Sequence, residues 1–191
     1  SSIPFVIVSL AIPIHQNIDI FSINPVLQAK GMTLAQAEYV NSIVSLVQKI
    51  AVIPIIFANA FALTLVPAIT KSFIGNHKEE LNSQISKTFQ IIFFVTLPCS
   101  IFFLIFAREC FGILLGTANA SYGGEVTAAY AWISIFISFF LVTAAILQGI
   151  NKQQFAVVSL IIGCLIKFAL SASFIELFSG SGTAYSSMIG F

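Results

Sequence analysis

Long apolar segments, separated by short polar connections, make up almost the whole chain. A helix that crosses a bilayer needs about 20 mostly apolar residues. Five segments reach that length, and a sixth begins near residue 183. The predicted spans are 3–23, 41–70, 88–107, 127–149, 155–178 and 183–191. Because lipid offers no partners to backbone polar groups, the spans are predicted to be helices. The expected fold class is therefore all-α, a polytopic helical membrane bundle.

The composition agrees with a membrane protein. Hydrophobic residues make up 58% of the 191 residues, charged residues make up 8%, and the mean hydropathy is +1.02. Soluble domains carry about 25% charged residues, so this chain cannot cover itself with a polar surface. The net charge of +1 gives no reason to expect nucleic acid as a partner. We expect no disulfide, metal or other cofactor, because the three cysteines form no C-x-x-C pair.

The lysines of the polar connections suggest an orientation. The second and fourth connections carry Lys71, Lys78, Lys87 and Lys152, whereas the first, third and fifth carry only Lys30 and Arg108. Basic residues favour the cytoplasmic side of a membrane. The first span is therefore predicted to run from the inside to the outside.

Two features of the connections and spans concern local helix geometry. After Asn76, Leu81, Ile85 and Phe89 recur at helical spacing. This segment is either a surface helix with one face on the membrane or the first turns of the next span. Pro13, Pro54 and Pro98 each fall within a predicted span. Since proline removes a backbone donor, we expect these three spans to be kinked.

Ionisable residues within the spans are the candidate functional residues, because a charge is costly in lipid. In "PIHQNID", His15 and Asp19 are four residues apart and so share one helix face. Their cluster is either part of a polar, ion-coupling cavity or an interhelical hydrogen-bond patch near the outer surface.

Lys49 follows Gln48 in an otherwise apolar segment. No charged residue occurs between Lys49 and Lys71, which leaves enough apolar chain to span the membrane. Lys49 is therefore either an anchor that snorkels to the outer surface or a working charge inside the membrane. It could also pair with Asp19 on the neighbouring span.

Lys167 is the deepest charge in the sequence. Eight residues separate it from Glu176, the nearer charged residue, and at 1.5 Å per residue that places it about 13 Å away. Snorkelling covers only part of this distance. Lys167 is either an inward-facing functional charge or one half of a structural ion pair, for which Asp19 is a candidate partner.

An ordered set of motifs between Gln48 and Cys110 carries a family resemblance. It runs from "QKIAVIP" through a long span ending in "LVPAI" and a polar helix to "TLPCS", and "LQGINKQ" and "NIDIFSINPVL" add to it. The chain resembles the polysaccharide-transporter branch of the multidrug/oligosaccharidyl-lipid/polysaccharide exporter superfamily. Within that branch it is most similar to the lipid II flippases and to the stage V sporulation protein B type.

The resemblance implies a two-lobe transporter with a central cavity. Residues 1–191 would then be a single transmembrane lobe, a fragment of a longer transporter whose first lobe is missing. Such a protein lies in the inner or plasma membrane and flips an undecaprenyl-pyrophosphate-linked precursor of peptidoglycan or polysaccharide by alternating access. Its partners would be lipid II or a lipid-linked oligosaccharide and the membrane lipids. It would not be an enzyme.

The resemblance also implies a role for one lysine. Family members place basic residues in the cavity, and Lys49 matches one of them by its position before "IAVIP". Where some flippases have arginine, lysine supplies a point charge without the bidentate fork. We therefore predict that Lys49, Gln48 and Lys167 bind substrate and that Asp19 and His15 serve ion coupling or line the cavity. For Lys167 and Asp19 the predicted role rests on the free-energy cost of burying a charge rather than on a sequence motif.

Three alternatives remain at this point. A cation-coupled multidrug exporter of the same superfamily would need acidic residues in the cavity, whereas the deep charges here are mostly basic. A non-transporting membrane scaffold would tolerate methionine at both Lys49 and Lys167. A membrane enzyme would need acidic or histidine clusters in the connections, where only Glu79 and Glu80 are adjacent.

Overall fold

A computed structural model of the chain describes residues 10–190. The helices are α1 (Ala11–Ala29), α2 (Leu34–Ile74), α3 (Lys78–Ile105), α4 (Ala107–Leu115), α5 (Ala120–Gly149), α6 (Gln153–Phe178) and α7 (Gly180–Gly190). Within the described residues, four helical segments are long and apolar enough to cross a membrane, namely α2, α3, α6 and Thr117–Gly149. The all-α, polytopic bundle is thus confirmed. The predicted first span lies partly outside the described residues.

The second helix is much longer than a bilayer requires. α2 has 41 residues, and at 1.5 Å per residue it is about 60 Å long, roughly twice the thickness of the hydrocarbon core. It begins seven residues before the predicted span, at a capping box. The Thr33 hydroxyl accepts a hydrogen bond from the Gln36 backbone N–H, and the Gln36 side chain accepts one from the Thr33 N–H.

The segment after Asn76 proves to be the start of the next span. α3 continues without a break from Lys78 to Ile105, so the separate surface helix is excluded. Ile85 and Phe89 do not form a free apolar face, as that interpretation required. They pack against a small apolar core that α2, α3 and α5 build together.

α5 is the central helix of the bundle. Of the residues in its most apolar stretch, 67% are buried, against 22–33% in the other three long helices. It packs against α2, α3, α4, α6 and α7. Glycines near its two ends permit close contacts, because the ring of Phe111 covers Gly123 and Ile69 covers Gly149.

The third connection (108–125) and the fifth connection (179–183) contain more helix than the sequence suggested. The third includes α4, which buries Phe111 against α5, and also the first turn of α5 itself. In "SGSGT", Ser179 makes a turn with φ 54°, and α7 begins at the next residue. Gly182 then lies against the backbone of Phe174, which lets α7 fold back closely along α6.

The helices continue through their prolines. Pro54 and Pro67 lie inside α2, Pro98 lies inside α3, and Pro25 lies inside α1. Pro13 stands instead in the first turn of α1 as described, where a missing N–H costs least. Bending at Pro54 and Pro98 remains a prediction.

The two ends of the bundle differ in charge. Four lysines and two glutamates lie toward the end with the loops at 75–77 and 150–152: Lys71, Lys78, Lys87, Lys152, Glu79 and Glu80. The opposite end carries Lys30, Arg108, Glu38, Glu109, Glu125 and Glu176. The positive-inside rule therefore continues to predict that the first of these ends is cytoplasmic.

Gly149 offers a test of the contact between α5 and α2. A Cβ atom added there would overlap with Ile69, whose branched side chain is fully buried and cannot move away. Gly149→Ala is expected to destabilise the full-length protein by about 1–3 kcal/mol, the usual cost of overpacking. A lower thermal unfolding midpoint in detergent would show this.

Gly112→Ala is the matched control, because a Cβ there meets Ala120 at an ordinary 3.5 Å. It should leave the midpoint unchanged or raise it, since alanine favours a helix more than glycine does. Equal midpoints for the two variants would contradict the close contact at Gly149.

Candidate functional site

One buried polar cluster joins five helices. Its members are at most 5% exposed, and each comes from a different helix: Asp19 from α1, Gln48 from α2, Tyr130 from α5, Lys167 from α6 and Thr183 from α7. Apolar side chains of the main core surround it. The cluster is therefore shielded from lipid by the helices that contribute to it.

An ion pair lies at the centre of this cluster. The Lys167 Nζ is 2.9 Å from Asp19 Oδ1. The other carboxylate oxygen, Oδ2, accepts hydrogen bonds from Gln48 Nε2 at 3.0 Å and from the Tyr130 hydroxyl at 3.2 Å. Both oxygens of Asp19 thus have partners. The predicted structural pairing of Lys167 with Asp19 is present, and Asp19 does not pair with Lys49.

Further hydrogen bonds extend the cluster to α7. Gln48 Nε2 also donates to the Tyr130 hydroxyl at 3.1 Å, and that hydroxyl lies 3.0 Å from the Thr183 hydroxyl. On the next turn of α7, Ser187 donates to the Thr183 backbone carbonyl. Because Tyr130 lies on the central helix, it connects α1 and α2 on one side with α7 on the other.

The surroundings of the pair explain how two charges can exist in the membrane. An isolated charge there is expensive, and a buried pair is tolerated only with good geometry and further hydrogen bonds. Asp19 meets both conditions, with one cation and two neutral donors around it. The pair has no net charge, so it does not attract an anion as a free lysine would.

The cavity beside the pair is small. It has a volume of about 30 Å³ and is bordered by Asp19, Gln48, Tyr130, Lys167 and Ser187, among others. A water molecule needs about 10–15 Å³, so there is room for one or two waters but not for a lipid headgroup. No three His, Cys, Asp or Glu side chains between residues 10 and 190 are placed to hold a metal ion.

The remaining predicted site residues lie apart from the cluster. Lys49 is exposed and makes no ion pair or hydrogen bond with the described residues, although its neighbour Gln48 is buried. His15 belongs to α1, but its side chain lies outside the described part of the structure. The substrate-binding and ion-coupling roles of all five residues stay predictions.

Two members of the cluster were missed from the sequence. Tyr130 stands in the apolar run "AAYAWISIF", where a tyrosine carries no particular signal. Thr183 stands at the end of "SGSGT", a short Gly- and Ser-rich connection between two predicted spans. The spacing of Thr183 and Ser187, one helical turn apart, could have indicated a polar helix face.

Removing one charge of the pair should destabilise the protein. Lys167→Met leaves the Asp19 carboxylate buried without its cation, which typically costs about 3–5 kcal/mol. Thermal unfolding of the full-length protein in detergent measures the loss. The double variant Asp19→Asn, Lys167→Met should recover most of it, because neither charge remains. A double variant less stable than Lys167→Met alone would contradict this account of the pair.

Comparison with known proteins identifies the family. The model of the family "Lipid II flippase MurJ" matches residues 6–191. The lipid II flippase MurJ of Bacillus subtilis (strain 168) is 36% identical over 190 residues, which is 98% of this chain and 35% of that relative. No solved structure matches. With its apolar helices, the chain is a multi-pass plasma membrane protein. It belongs to the lipid II flippase MurJ family.

Proposed function

We propose that the full-length protein flips a lipid-linked peptidoglycan precursor, lipid II or a close relative, across the plasma membrane. The observation that carries this proposal is the family match over residues 6–191. The chain spans about a third of the length of its curated relative. We therefore propose that it forms one lobe of the transporter and that another part of the polypeptide completes the cavity.

In this proposal the two deep lysines have different tasks. Lys167 is paired with Asp19 and fully buried, so its charge is already neutralised. Lys49 is exposed and makes no ion pair within the described residues. A pyrophosphate group needs an uncompensated cation that it can reach, and Lys49 meets this requirement. We therefore assign the contact with the headgroup to Lys49, and the stabilisation of the lobe to Lys167.

The transport step needs no covalent chemistry. The headgroup moves through a polar cavity while the prenyl tail stays in lipid, and the lobes alternate between inward and outward states around a site in the membrane. His15 remains a candidate for ion coupling. Asp19 could serve this purpose only if its contact with Lys167 changes during the cycle, because both of its oxygens have partners in the described conformation.

The multidrug exporter is less well supported than the flippase. Exporters of cationic drugs would use a negative charge in the cavity. In the described part of the chain, Asp19 is the acidic residue in the middle of a membrane helix, and Lys167 neutralises it. The scaffold remains as an outcome of the experiment that follows.

Flipping by Lys49 variants tests the proposal. The full-length protein, reconstituted in vesicles, is assayed with an undecaprenyl-pyrophosphate sugar lipid. Lys49→Met should lower the flipping rate at least about tenfold, the equivalent of one lost charge-assisted contact. Lys49→Arg should retain activity because it keeps the charge.

Lys78→Met is the matched control, since Lys78 is an exposed lysine at the loop end of α3. It should flip at the wild-type rate. A wild-type protein that does not flip the lipid would contradict the proposed function, and full activity in Lys49→Met would favour a surface anchor.

A further inference from the structure

An exposed amide lies in the middle of the apolar part of α2. Asn59 is exposed, and its side chain makes no hydrogen bond with any described residue. Other polar side chains of the spans find backbone partners: Thr64 donates to the Phe61 carbonyl, Thr70 to Val66 and Asn17 to Pro13. The polar groups of Asn59 are therefore unsatisfied within the described lobe.

Asn59 lies deep in the membrane, so an amide without hydrogen-bond partners would cost free energy there if it faced lipid. Asn59 is twelve positions from Lys71 at the loop end of α2, which corresponds to about 18 Å of helix. The hydrocarbon core is about 30 Å thick, so Asn59 lies close to its middle. An amide without a partner in an apolar medium costs about 2–7 kcal/mol. Asn59 is thus expected to face water or another polar group.

Asn59 and Lys49 lie on the same side of α2. They are ten residues apart, and with 3.6 residues per turn their directions differ by about 80°. Glu38, Ser42 and Lys49, all exposed, form a polar stripe on the first half of the helix. Asn59 lies farther along the exposed side of α2, between the exposed apolar residues Ile56 and Leu63.

We propose that this face of α2 lines the path of the headgroup and that Asn59 binds the headgroup in the middle of the membrane. This inference rests on the proposed function and assigns a further substrate contact to it. Lys49 is about 15 Å from Asn59 along the helix, so the two residues would meet the headgroup at successive positions. An amide both donates and accepts hydrogen bonds, which suits sugar hydroxyls and phosphate oxygens.

Asn59 carries no charge, which suits a residue that the headgroup contacts only in passing. A charge at the middle of the membrane would hold the pyrophosphate strongly and slow its release. Transport requires binding that is strong enough for entry and weak enough for exit. Lys49 at the outer part of α2 would therefore attract the headgroup, and Asn59 would support its passage.

Cysteine labelling tests whether Asn59 faces water. In the full-length protein, Cys99, Cys110 and Cys164 are replaced by alanine, and Asn59→Cys is treated with a charged methanethiosulfonate in vesicles of both orientations. Phe61→Cys is the matched control, because it has nearly the same depth but points about 200° away around α2. Only a thiolate in water reacts, so Asn59→Cys should react at least about ten times faster than Phe61→Cys.

Addition of lipid II should slow the labelling of Asn59→Cys. Equally slow labelling of the two cysteines would overturn the inference, because Asn59 would then face lipid or packed protein. Fast labelling that lipid II does not slow would overturn the contact with the headgroup.

Flipping measurements separate this inference from the proposed function. Asn59→Leu keeps the size of the side chain but removes its hydrogen bonds, so it should lower the flipping rate about fivefold to tenfold, as expected for one hydrogen bond. Asn59→Gln should retain most of the activity. If the wild type and Asn59→Leu flip equally fast, the inference fails while the proposed function stands. If the wild type does not flip, the proposed function itself fails.

Discussion

The ion pair between Lys167 and Asp19 is the interaction on which the arrangement of this helical bundle depends. Neither charge can face lipid, and neither can be buried alone. Asp19 must therefore lie within 2.9 Å of Lys167, and this fixes α1 against α6. Gln48 and Tyr130 complete the coordination of the carboxylate and bring α2 and the central helix α5 to the same point. The polar cluster thus determines how five helices are aligned.

This constraint also separates structural charge from functional charge. Lipid-facing helices pack without a hydrophobic driving force, so polar contacts and close packing decide their alignment. The cluster has no net charge and only a small cavity, properties that suit a structural role within the bundle. By contrast, Lys49 and Asn59 lie on the exposed side of α2, and no described residue neutralises the charge of Lys49. The side chains of Lys49 and Asn59 lack partners within the described residues and are available to a polar group outside them.

Much of the fold could be predicted from the sequence, because hydropathy reports directly on lipid burial. The deep charges were also recognisable from their cost. The ion-pair partner of Asp19 could not be predicted, because spacing along the chain allowed both Lys49 and Lys167. Only the packing of the helices decides between them. Sequence also could not identify α5 as central, since all long helices are similarly apolar. Tyr130 carries no signal in its apolar run, and the spacing of Thr183 and Ser187 indicates a polar helix face but not the partner of Thr183.

The most direct test of this division is the binding of lipid II to purified full-length protein, compared between Lys49→Met and the charge-free double variant Asp19→Asn, Lys167→Met. Thermal unfolding would first establish that both are folded. We predict that Lys49→Met binds at least about tenfold more weakly than wild type, while the double variant binds like wild type. Loss of binding in the folded double variant, with binding kept in Lys49→Met, would contradict this division, because Lys167 would then be the charge that holds the substrate.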